Sequence, residues 1–443
     1  MKRLLILLCL AWSTAAFADD RTDIQAQIDL AASLGGGDVY LDSRVYVLSQ
    51  TPGAYYSLVL PGNVNLVGAG RDKTLLSQAP GAGPSQRLVY AYGKTTISDL
   101  SLFGNRAYQT VDEHRAGLFV KDATQVTISR VDSYGFTGDG FVAYSGDNVT
   151  YDDVSAFDNG RNGLSLTPGG PPLSGVAILN SYFYGNTAQQ IDSEPGPSAL
   201  VSRVVVRGCV IDGTGNNDYA LTVGGASTAG ASSTWQISDN QITNGVIIVW
   251  ANNVRFYNNN VVNATTKPAV TVYRSSHLVS ISGNYLYQTQ TTAPNVGAIY
   301  VAGTGSGSMP SGITISENTV VTNPTNFGVR AEGVLDVLVL GNYIYGASYG
   351  AYFRTTNATY PLKFVLFQGN FVSGFTVAGL YLAGNTGSAL TAATVANNLF
   401  DGLGVSMILG DSYQSTQSVV VSGNTCLGPA VCMSNLPPIS RVF

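Results

Sequence analysis

Two carboxylates stand close together in a chain that contains few charged residues. The segment QQIDSEPG, residues 189–196, carries Asp192 and Glu194, whereas only 11% of the 443 residues are Asp, Glu, Lys or Arg. On an extended strand, side chains two positions apart point to the same face, with about 7 Å of backbone between them. Glycoside hydrolases use two carboxyl groups about 5 Å apart for retention, or roughly 6.5 to 9.5 Å apart for inversion. The pair therefore fits glycosidic hydrolysis, as does Asp192 with Asp139 or Asp218 from an adjacent coil.

Nearby cations and hydroxyls fit a second chemistry, the removal of the C5 proton from a uronic acid polymer. That reaction needs a cation to neutralise the substrate carboxylate, a base and an acid. Arg115, Lys121 and Arg161 are candidates for the cation. His114 or Lys121 is the candidate base and Tyr144 the candidate acid. Reprotonation from the opposite side gives an epimerase, and loss of the C4 substituent gives a lyase.

Around these groups lie further polar residues that could hold a substrate. The predicted catalytic set is His114, Lys121, Asp139, Tyr144, Arg161, Asp192 and Glu194. The predicted substrate-binding set is Arg115, Tyr134, Asn162, Gln189, Asp218 and Tyr219. Calcium is a possible cofactor, because it takes oxygen ligands and Asp139, Asp192 and Glu194 could supply them, although no calcium-loop motif is present.

Two non-catalytic alternatives remain open. The polar residues could form a solvated sheet face, paired between neighbouring coils. Alternatively, outward-facing tyrosines could stack on sugars in a carbohydrate-binding surface protein, as Tyr273, Tyr300, Tyr352 and Tyr381 would. A binder needs no group with a strongly shifted pKa, and this distinguishes it from an enzyme.

The elements that position these residues follow from a repeat. A short strand pattern recurs in twelve copies, such as AGLFVK, DGFVAY and NGLSLT, with a marker residue in each. The markers, 22 to 30 residues apart, are Gly117, Gly140, Gly163, Gln190, Ala220, Gly245, Ala269, Ala298, Gly328, Gly350, Gly379 and Gly404. The first and third positions after each marker are apolar almost throughout, so we expect them to fill a core while positions two and four face outward.

A second strand pattern follows each copy of the first and ends in an aligned asparagine. Stacked asparagines at a turn can donate to and accept from neighbouring coils, which holds the turn geometry. Cys209 falls in the same register, so we expect it to be buried. The aligned asparagines are Asn240, Asn259, Asn284, Asn318, Asn342, Asn370, Asn398 and Asn424.

This alternation predicts an all-β fold, a right-handed parallel β-helix of about twelve coils with two or three short strands each. A β-propeller or sandwich fits less well, because propeller blades have a longer period. A short amphipathic helix, TDIQAQIDLAASL, is predicted to cap the start, with Thr22 as its N-cap. The segment GGGDVYLDSRVYVL then opens the sheet. Residues 19–443 are predicted to form a single β-helix domain.

The beginning of the chain is typical of an export signal. Lys2 and Arg3 precede a short apolar run, and Ala16-Phe17-Ala18 forms a cleavage site, so residues 1–18 are predicted to be removed after Ala18. We therefore expect a periplasmic or secreted protein without a membrane span. The net charge of −5 and the lack of a basic run disfavour a nucleic acid partner. The expected partner is a polysaccharide, and the expected state is a monomer.

The helix cap, the GGGDVYL opening and the recurring coils resemble the pectate-lyase-like superfamily of right-handed β-helices that act on polysaccharides. A closer similarity is to mannuronan C5-epimerases, in which Tyr-Gly-Phe leads into Asp-Pro-His. Here Tyr134-Gly135-Phe136 leads into Thr137-Gly138-Asp139, so Tyr134 and Asp139 are the positions that can be carried over. The stretch NGRNGL resembles the following coil, where an arginine contributes to the site, and Arg161 is the matching residue.

The resulting hypothesis is a polysaccharide-processing enzyme that acts on a uronate-containing polymer by C5 proton abstraction, as a lyase or an epimerase. Glycoside hydrolysis by paired carboxylates and non-catalytic carbohydrate binding are the alternatives.

Overall fold

The structure is a computed structural model that describes residues 19–215, 218–225, 232–289, 296–303, 309–355, 361–384, 390–409 and 418–427. The predicted signal peptide, residues 1–18, and the C-terminal LPPISRVF lie outside the described residues.

The chain begins with one helix, α1, at Asp20–Ser33. Ile24 and Ile28 are buried, as the amphipathic pattern predicts. The predicted N-cap, Thr22, is wrong. Asp19 is the N-cap, because its carboxylate accepts a hydrogen bond from the backbone N–H of Arg21 at 3.2 Å.

α1 also covers the edge of the first coil. Gln25 donates to the backbone carbonyl of Val59 at 3.1 Å and accepts from the backbone N–H of the same residue at 3.0 Å. The carboxylate of Asp20 accepts from the N–H of Val47 at 2.9 Å. Unpaired strand edges are sites of unwanted association, and these side chains satisfy part of this one.

After α1 the chain winds into three parallel sheets, one on each side of the coil. The pairings recorded along all three sheets are parallel and join each coil to the next. Two long strands, Arg87–Phe103 and Ala116–Tyr134, contribute to all three sheets in turn.

Apart from the long strands, sheet 1 consists of Tyr56–Leu60, Phe141–Ala143, Leu164–Leu166, Ile191–Ser193, Leu221–Gly224, Val246–Val249, Val270–Tyr273, Gly297–Ala302, Phe327–Glu332, Tyr349–Arg354, Ala378–Ala383 and Val405–Leu409. Sheet 2 consists of Gly37–Tyr40, Val64–Val67, Gly146–Asp152, Leu173–Leu179, Val201–Arg207, Ser232–Ser238, Ala251–Tyr257, His277–Ser282, Ser311–Ser316, Asp336–Leu340, Leu362–Gln368, Leu390–Ala396 and Ser418–Ser422.

Sheet 3 consists of Val45–Leu48, Leu75–Gln78, Ser155–Phe157, Tyr182–Tyr184, Val210–Asp212, Gln241–Thr243, Asn260–Asn263, Tyr285–Gln288, Thr319–Val321, Tyr343–Tyr345, Phe371–Ser373, Leu399–Asp401 and Thr425–Leu427. A short 3-10 helix, Arg106–Tyr108, lies between the two long strands.

The parallel β-helix prediction is confirmed. The described residues form about 13 turns, slightly more than the twelve coils that the repeat predicts. The first repeated pattern forms sheet 1 and the second forms sheet 2, and the inward positions are buried as expected, for example Leu118, Val120 and Leu164. No helix in the described part of the chain has the length and hydropathy that crossing a membrane requires.

The asparagine ladder is also confirmed, at the turn between sheet 2 and sheet 3. From Asn240 to Asn424, each side-chain amide donates to the side-chain carbonyl of the next asparagine at 2.8 to 3.1 Å. Cys209 continues the ladder: its thiol is buried and its backbone N–H donates to Asn240 at 2.9 Å. The ladder supplies hydrogen bonds to buried turn backbone that would otherwise lack partners.

We expect Asn318→Ala to lower the free energy of unfolding by about 2 to 4 kcal/mol, because buried donors and acceptors would lose their partners. Asn318 accepts from Asn284 and donates to Ile281 and Asn342. Urea unfolding followed by circular dichroism measures the loss. Asn424→Ala is the matched control: Asn424 is partly exposed, so water can replace its bonds and the loss should stay below about 1 kcal/mol. Equal losses in the two variants would contradict a cooperative role for the ladder.

Candidate active site

The candidate site lies on the outer face of sheet 1. In the parallel register Val142, Ser165 and Asp192 occupy equivalent outward positions in three successive coils. Coils stack about 4.8 Å apart, so residues more than twenty positions apart in sequence become neighbours. Residues that precede the strands lie along one side of the sheet, and residues that follow them lie along the other.

Arg161 is the centre of the charged cluster. It precedes the strand Leu164–Leu166, and its guanidinium contacts carboxylates that come from both sides of the sheet. Nη1 contacts Asp139 Oδ2 at 3.1 Å and Nη2 donates to Glu194 Oε2, while Nε lies 4.0 Å from Glu113 Oε2. One cation therefore bridges carboxylates from three different segments.

Asp139 is held in place from several directions. It is 3% exposed and accepts from the backbone N–H of Asn162 and from the hydroxyl of Ser165, both at 2.9 Å, in addition to Arg161. Burial raises the pKa of Asp139 despite these donors, which favour its charged form. The three donors fix the orientation of the Asp139 carboxyl group, while burial disfavours its ionised form.

Asp192 occupies an outward position of sheet 1, as the repeat predicts, yet its side chain is buried. It is 2% exposed, and the charges of Arg161 and Glu194 both act on it. Burial, followed by the charge of Glu194 and a hydrogen bond with that carboxylate, raises the pKa of Asp192 to about 8, and Arg161 opposes the rise. The raised pKa favours the protonated form of Asp192. Glu194, in contrast, has a side chain that is 52% exposed.

Asn162 lies beneath this cluster, and its predicted role as a substrate contact needs correction. It is fully buried, and its side-chain amide donates to Asp192 at 3.2 Å and to Ser165 at 3.0 Å. Its side-chain carbonyl accepts from the backbone N–H of Gln189 at 3.0 Å. Asn162 therefore orients the carboxyl groups of the cluster.

Beside the cluster is a cleft of about 240 Å³. Phe119 and Val142 form an apolar floor. His114 lies on the side where the strands begin, and Tyr144 lies on the side where they end, so the two face the cleft from opposite flanks. The residues that line the cleft are Arg87, Glu113, His114, Phe119, Asp139, Val142, Tyr144, Arg161 and Thr167.

Arg115 does not face the cleft, which corrects its predicted role in binding substrate. It is 2% exposed, and its guanidinium donates to the side chain of Gln109 at 2.8 Å and to the carbonyl of Ala82 at 2.7 Å. These bonds tie two loops together, so Arg115 supports the edge of the cleft without contacting its interior.

Tyr134 and Lys121 stand apart from the Arg161 cluster. Tyr134 is on sheet 3, where its ring lies 5.2 Å from that of Phe103 and 4.7 Å from that of Phe157. Within the described residues, Tyr134 makes no hydrogen bond or ion pair with the cluster. Lys121 is on sheet 1, at the position equivalent to Tyr144, but it is not part of the cleft lining.

The predicted residues of the next coils form a second polar group. Gln189 donates to Asp218 at 3.1 Å, and Asp218 accepts from Lys267. The Lys267 ammonium lies 4.8 Å from the centre of the Tyr219 ring, and the Tyr219 hydroxyl bonds to that of Thr271 at 2.8 Å. This group continues the polar face along sheet 1.

Sequence analysis missed several residues of the site, including three charged ones: Arg87, Glu113 and Lys267. Lys267 stands two positions before the marker Ala269, just as Arg161 stands two positions before Gly163. The repeat therefore indicated that Lys267 lies beside the outer face of sheet 1. Glu113 is adjacent to His114 in sequence. Arg87 precedes the repeats that define the register, and only its cation–π contact with Phe119, at 4.7 Å, places it at the cleft.

The predicted calcium site is not confirmed. The part of the chain that the structure describes contains no group of three or more His, Cys, Asp or Glu side chains arranged to hold a metal ion. The guanidinium of Arg161 occupies the space between Asp139 and Glu194, so a fixed positive charge already lies where a cation would have to bind.

Comparison with known proteins agrees with the fold and with the resemblance stated from the repeat. Residues 116–286 match the family model described as right handed beta helix region. The A-module of mannuronan C-5 epimerase AlgE6 from Azotobacter vinelandii superposes with a TM-score of 0.51 and 22% identity, covering 93% of this chain and 96% of that one. At this identity the superposition shows a shared fold.

Two curated relatives match part of the sequence. Mannuronan C5-epimerase AlgE3 of Azotobacter vinelandii is 35% identical over 191 residues, which is 40% of this chain and 10% of that protein. Alginate lyase 7 of the same organism is 33% identical over 159 residues, which is 33% of this chain and 19% of that protein. The chain therefore spans no more than about a fifth of the length of either relative, and it is similar to β-helix proteins whose names denote alginate-modifying enzymes.

We expect Asp192→Asn to remove a pH-dependent destabilisation. In the wild type, the folded state keeps a proton that the unfolded chain loses, since the pKa is about 8 when folded and 3.8 ordinarily. Stability from this group therefore falls as pH rises from about 4 to about 8. Asparagine stays neutral, so the variant should exceed the wild type by on the order of a few kcal/mol at pH 8 to 9, but not near pH 4.

Urea unfolding at a series of pH values measures this difference. Asp239→Asn, which changes an exposed carboxylate, is the matched control and should show no such pH dependence. A constant difference between Asp192→Asn and the wild type at all pH values would show that Asp192 is ionised in the folded protein.

Proposed function

We propose that this protein modifies a uronate-containing polysaccharide of the alginate type by abstracting the proton at C5, as an epimerase or a lyase. The observation that carries the proposal is the Arg161 guanidinium, held by Asp139 and Glu194 close to Asp192, whose pKa is raised, at the edge of a cleft with an apolar floor. The names of the partial relatives, mannuronan C5-epimerases and an alginate lyase, support the same substrate class.

Arg161 and Asp192 suit the step in which the C5 proton is removed. When the C5 proton leaves, negative charge spreads onto the substrate carboxylate, and preorganised donors at that position lower the barrier. A guanidinium supplies charge, and a protonated carboxyl group supplies a hydrogen-bond donor without adding negative charge. The raised pKa of Asp192 reduces the repulsion that a polyanion would meet here.

Arg161 must exchange partners when the substrate binds. Its Nη2 donates to Glu194, whose side chain is half exposed and can move into water. The substrate carboxylate can then take the place of the Glu194 carboxylate, while Asp139, buried and held by Ser165 and Asn162, continues to orient the guanidinium. Asp139 thus acts as a positioning residue in this proposal.

His114 and Tyr144 are the proposed proton-transfer groups, because they line opposite flanks of the cleft. His114 in its neutral form accepts the C5 proton. In the epimerase outcome, Tyr144 returns a proton to C5 from the other side. In the lyase outcome, the C4–O bond breaks, its electron pair leaves with the oxygen, and Tyr144 protonates that oxygen while a C4–C5 double bond forms.

Glycoside hydrolysis has less support. Its two carboxyl groups must stand on either side of a sugar linkage, at least about 5 Å apart. Glu194 is instead paired with Arg161, and its charge contributes to the raised pKa of Asp192, so the two carboxyl groups act on each other. Asp192 and Glu194, which suggested hydrolysis, are better explained as a pair in which the charge of Glu194 raises the pKa of Asp192.

The location proposed for this reaction is outside the cytoplasm, where such polymers are found. The proposal rests on the predicted export signal at residues 1–18, which precede the described structure. The remaining chain, residues 19–443, is proposed to work as a single β-helix domain and as a monomer.

Tyr144→Phe and His114→Gln are each expected to lower the turnover of polymannuronate by about 10²-fold to 10⁴-fold, since each removes a proton-transfer group. Two measurements on the same reaction apply: exchange of the C5 hydrogen in D₂O by proton NMR, and ultraviolet absorbance of an unsaturated product. Lys363→Gln, an exposed change on sheet 2, is the matched control. New reducing ends without C5 exchange or absorbance would instead establish a hydrolase.

Arg161→Met is expected to lower turnover by about 10²-fold or more, and Arg161→Lys by less, because the lysine keeps a charge. Asp192→Asn is the more informative variant. The wild type should lose activity as pH rises through about 8, where Asp192 ionises, and the neutral variant should keep activity above that pH. Complete loss of activity in Asp192→Asn at pH 6 to 7 would show that the reaction needs an ionised carboxylate at this position.

A further inference from the structure

A second charged group lies farther along the same outer face of sheet 1. It consists of Tyr300, Arg330, Glu332 and Arg354, from three successive coils. In the register Tyr300 is next to Arg330, and Glu332 is next to Arg354. Five coil steps separate the strand of Asp192 from that of Glu332, which is about 24 Å along the β-helix. We call this group the distal cluster.

Charge in the distal cluster has the opposite sign to that around Arg161. Glu332, 5% exposed, accepts from Arg330 at 3.0 Å, from Arg354 at 2.9 Å and from the hydroxyl of Tyr300 at 3.1 Å. Two guanidinium groups thus share one carboxylate, which leaves one positive charge in a protein whose net charge is −5. The side chain of Arg354 is 42% exposed, so this charge faces solvent.

Aromatic rings continue the same face next to these cations. The rings of Tyr352 and Tyr381 are stacked, with centroids 4.8 Å apart and planes 4° apart, and Phe327 stacks on the other side of Tyr352 at 4.9 Å. The guanidinium of Arg330 lies 5.4 Å from the centre of the Phe327 ring. The stacked rings cover one another's faces, so a row of aromatic edges lies beside an exposed guanidinium. This row offers apolar contact to a sugar, and the guanidinium offers a charged partner to its carboxylate.

We propose that the distal cluster, together with the Tyr352–Tyr381 ring surface, is a second binding site for an anionic polysaccharide. The choice of an anionic polysaccharide as the ligand of this second site rests on the proposed function. A polymer that occupies the cleft and follows the face of sheet 1 reaches the distal cluster, and this second attachment is intramolecular. Linked binding of this kind raises the affinity for long chains without changing the affinity for short ones.

The test is the affinity of the full chain for mannuronate oligosaccharides of increasing length, measured by isothermal titration calorimetry at low salt. We expect the affinity of the wild type to rise once the oligosaccharide can span both sites. Arg354→Gln should abolish this rise and lower the affinity for the longest oligosaccharide by about tenfold, because a charged hydrogen bond is lost. Turnover of the shortest oligosaccharide should not change.

Matched variants separate binding from folding. Arg354→Lys keeps the charge and should retain most of the gain with length, and Arg330 remains to pair with Glu332 in both variants. Tyr381→Ala should weaken the binding of long oligosaccharides, whereas Tyr381→Phe, which keeps the ring, should not. Unaltered thermal unfolding in Arg354→Gln excludes a purely structural effect.

The outcomes distinguish this inference from the proposed function. If Arg354→Gln binds every oligosaccharide as the wild type does, the second site is refuted. If short oligosaccharides are turned over but affinity does not rise with length, the second site fails and the proposed function stands. If long oligosaccharides bind in an Arg354-dependent way without C5 exchange, the site stands and the proposed function fails.

Discussion

The constraint on which the rest of the structure depends is the parallel register between coils. Backbone hydrogen bonds join each strand to its equivalent one coil later, so an outward residue always has a neighbour about 4.8 Å away on either side. Asp139, Arg161 and Asp192 come from three different coils and meet only because this register is kept. The buried asparagine ladder and the apolar inward positions hold the register, so interior packing determines the geometry of a site on the exterior.

The same register explains why Asp192, a residue on the outer face of a sheet, has a raised pKa. The side chains on a flat sheet are packed at the spacing of the strands, and a short residue between long ones is covered by them. Asp192 is short, and the longer side chains of Arg161 and Glu194, which pair with each other, lie close enough to act on its charge. The cluster thus removes water from one carboxyl group without a deep pocket. The shallow cleft beside it can remain open to a polymer.

The fold could be predicted almost completely, because the repeat shows which residues of successive coils are equivalent. Alternation within each marker pattern identified the inward residues, and the aligned asparagines identified a turn. The strands of sheet 3 were not located, because many contain only three residues and carry too little periodicity. The N-cap was placed at Thr22 instead of Asp19 because both residue types cap helices and the choice depends on contacts with Ser49 in another segment.

The site could be predicted only in part. The repeat indicated which residues share the outer face of sheet 1, but it could not show which way a long side chain turns. Arg115 turns inward to Gln109, whereas Arg161, in an equivalent place two coils later, turns outward across the sheet. Tyr134 was carried over from a resemblance in sequence, and its side chain stacks with the aromatic rings of sheet 3.

α1 has a consequence for association between molecules of this protein. Parallel coils are self-complementary, so an open first coil would be a template for the terminal coil of another molecule. Gln25 donates to and accepts from Val59 as a neighbouring strand would, and Asp20 takes the N–H of Val47. At these positions the end of the solenoid offers no free backbone groups. The helix thus occupies the place on the first coil that a strand of another molecule would take.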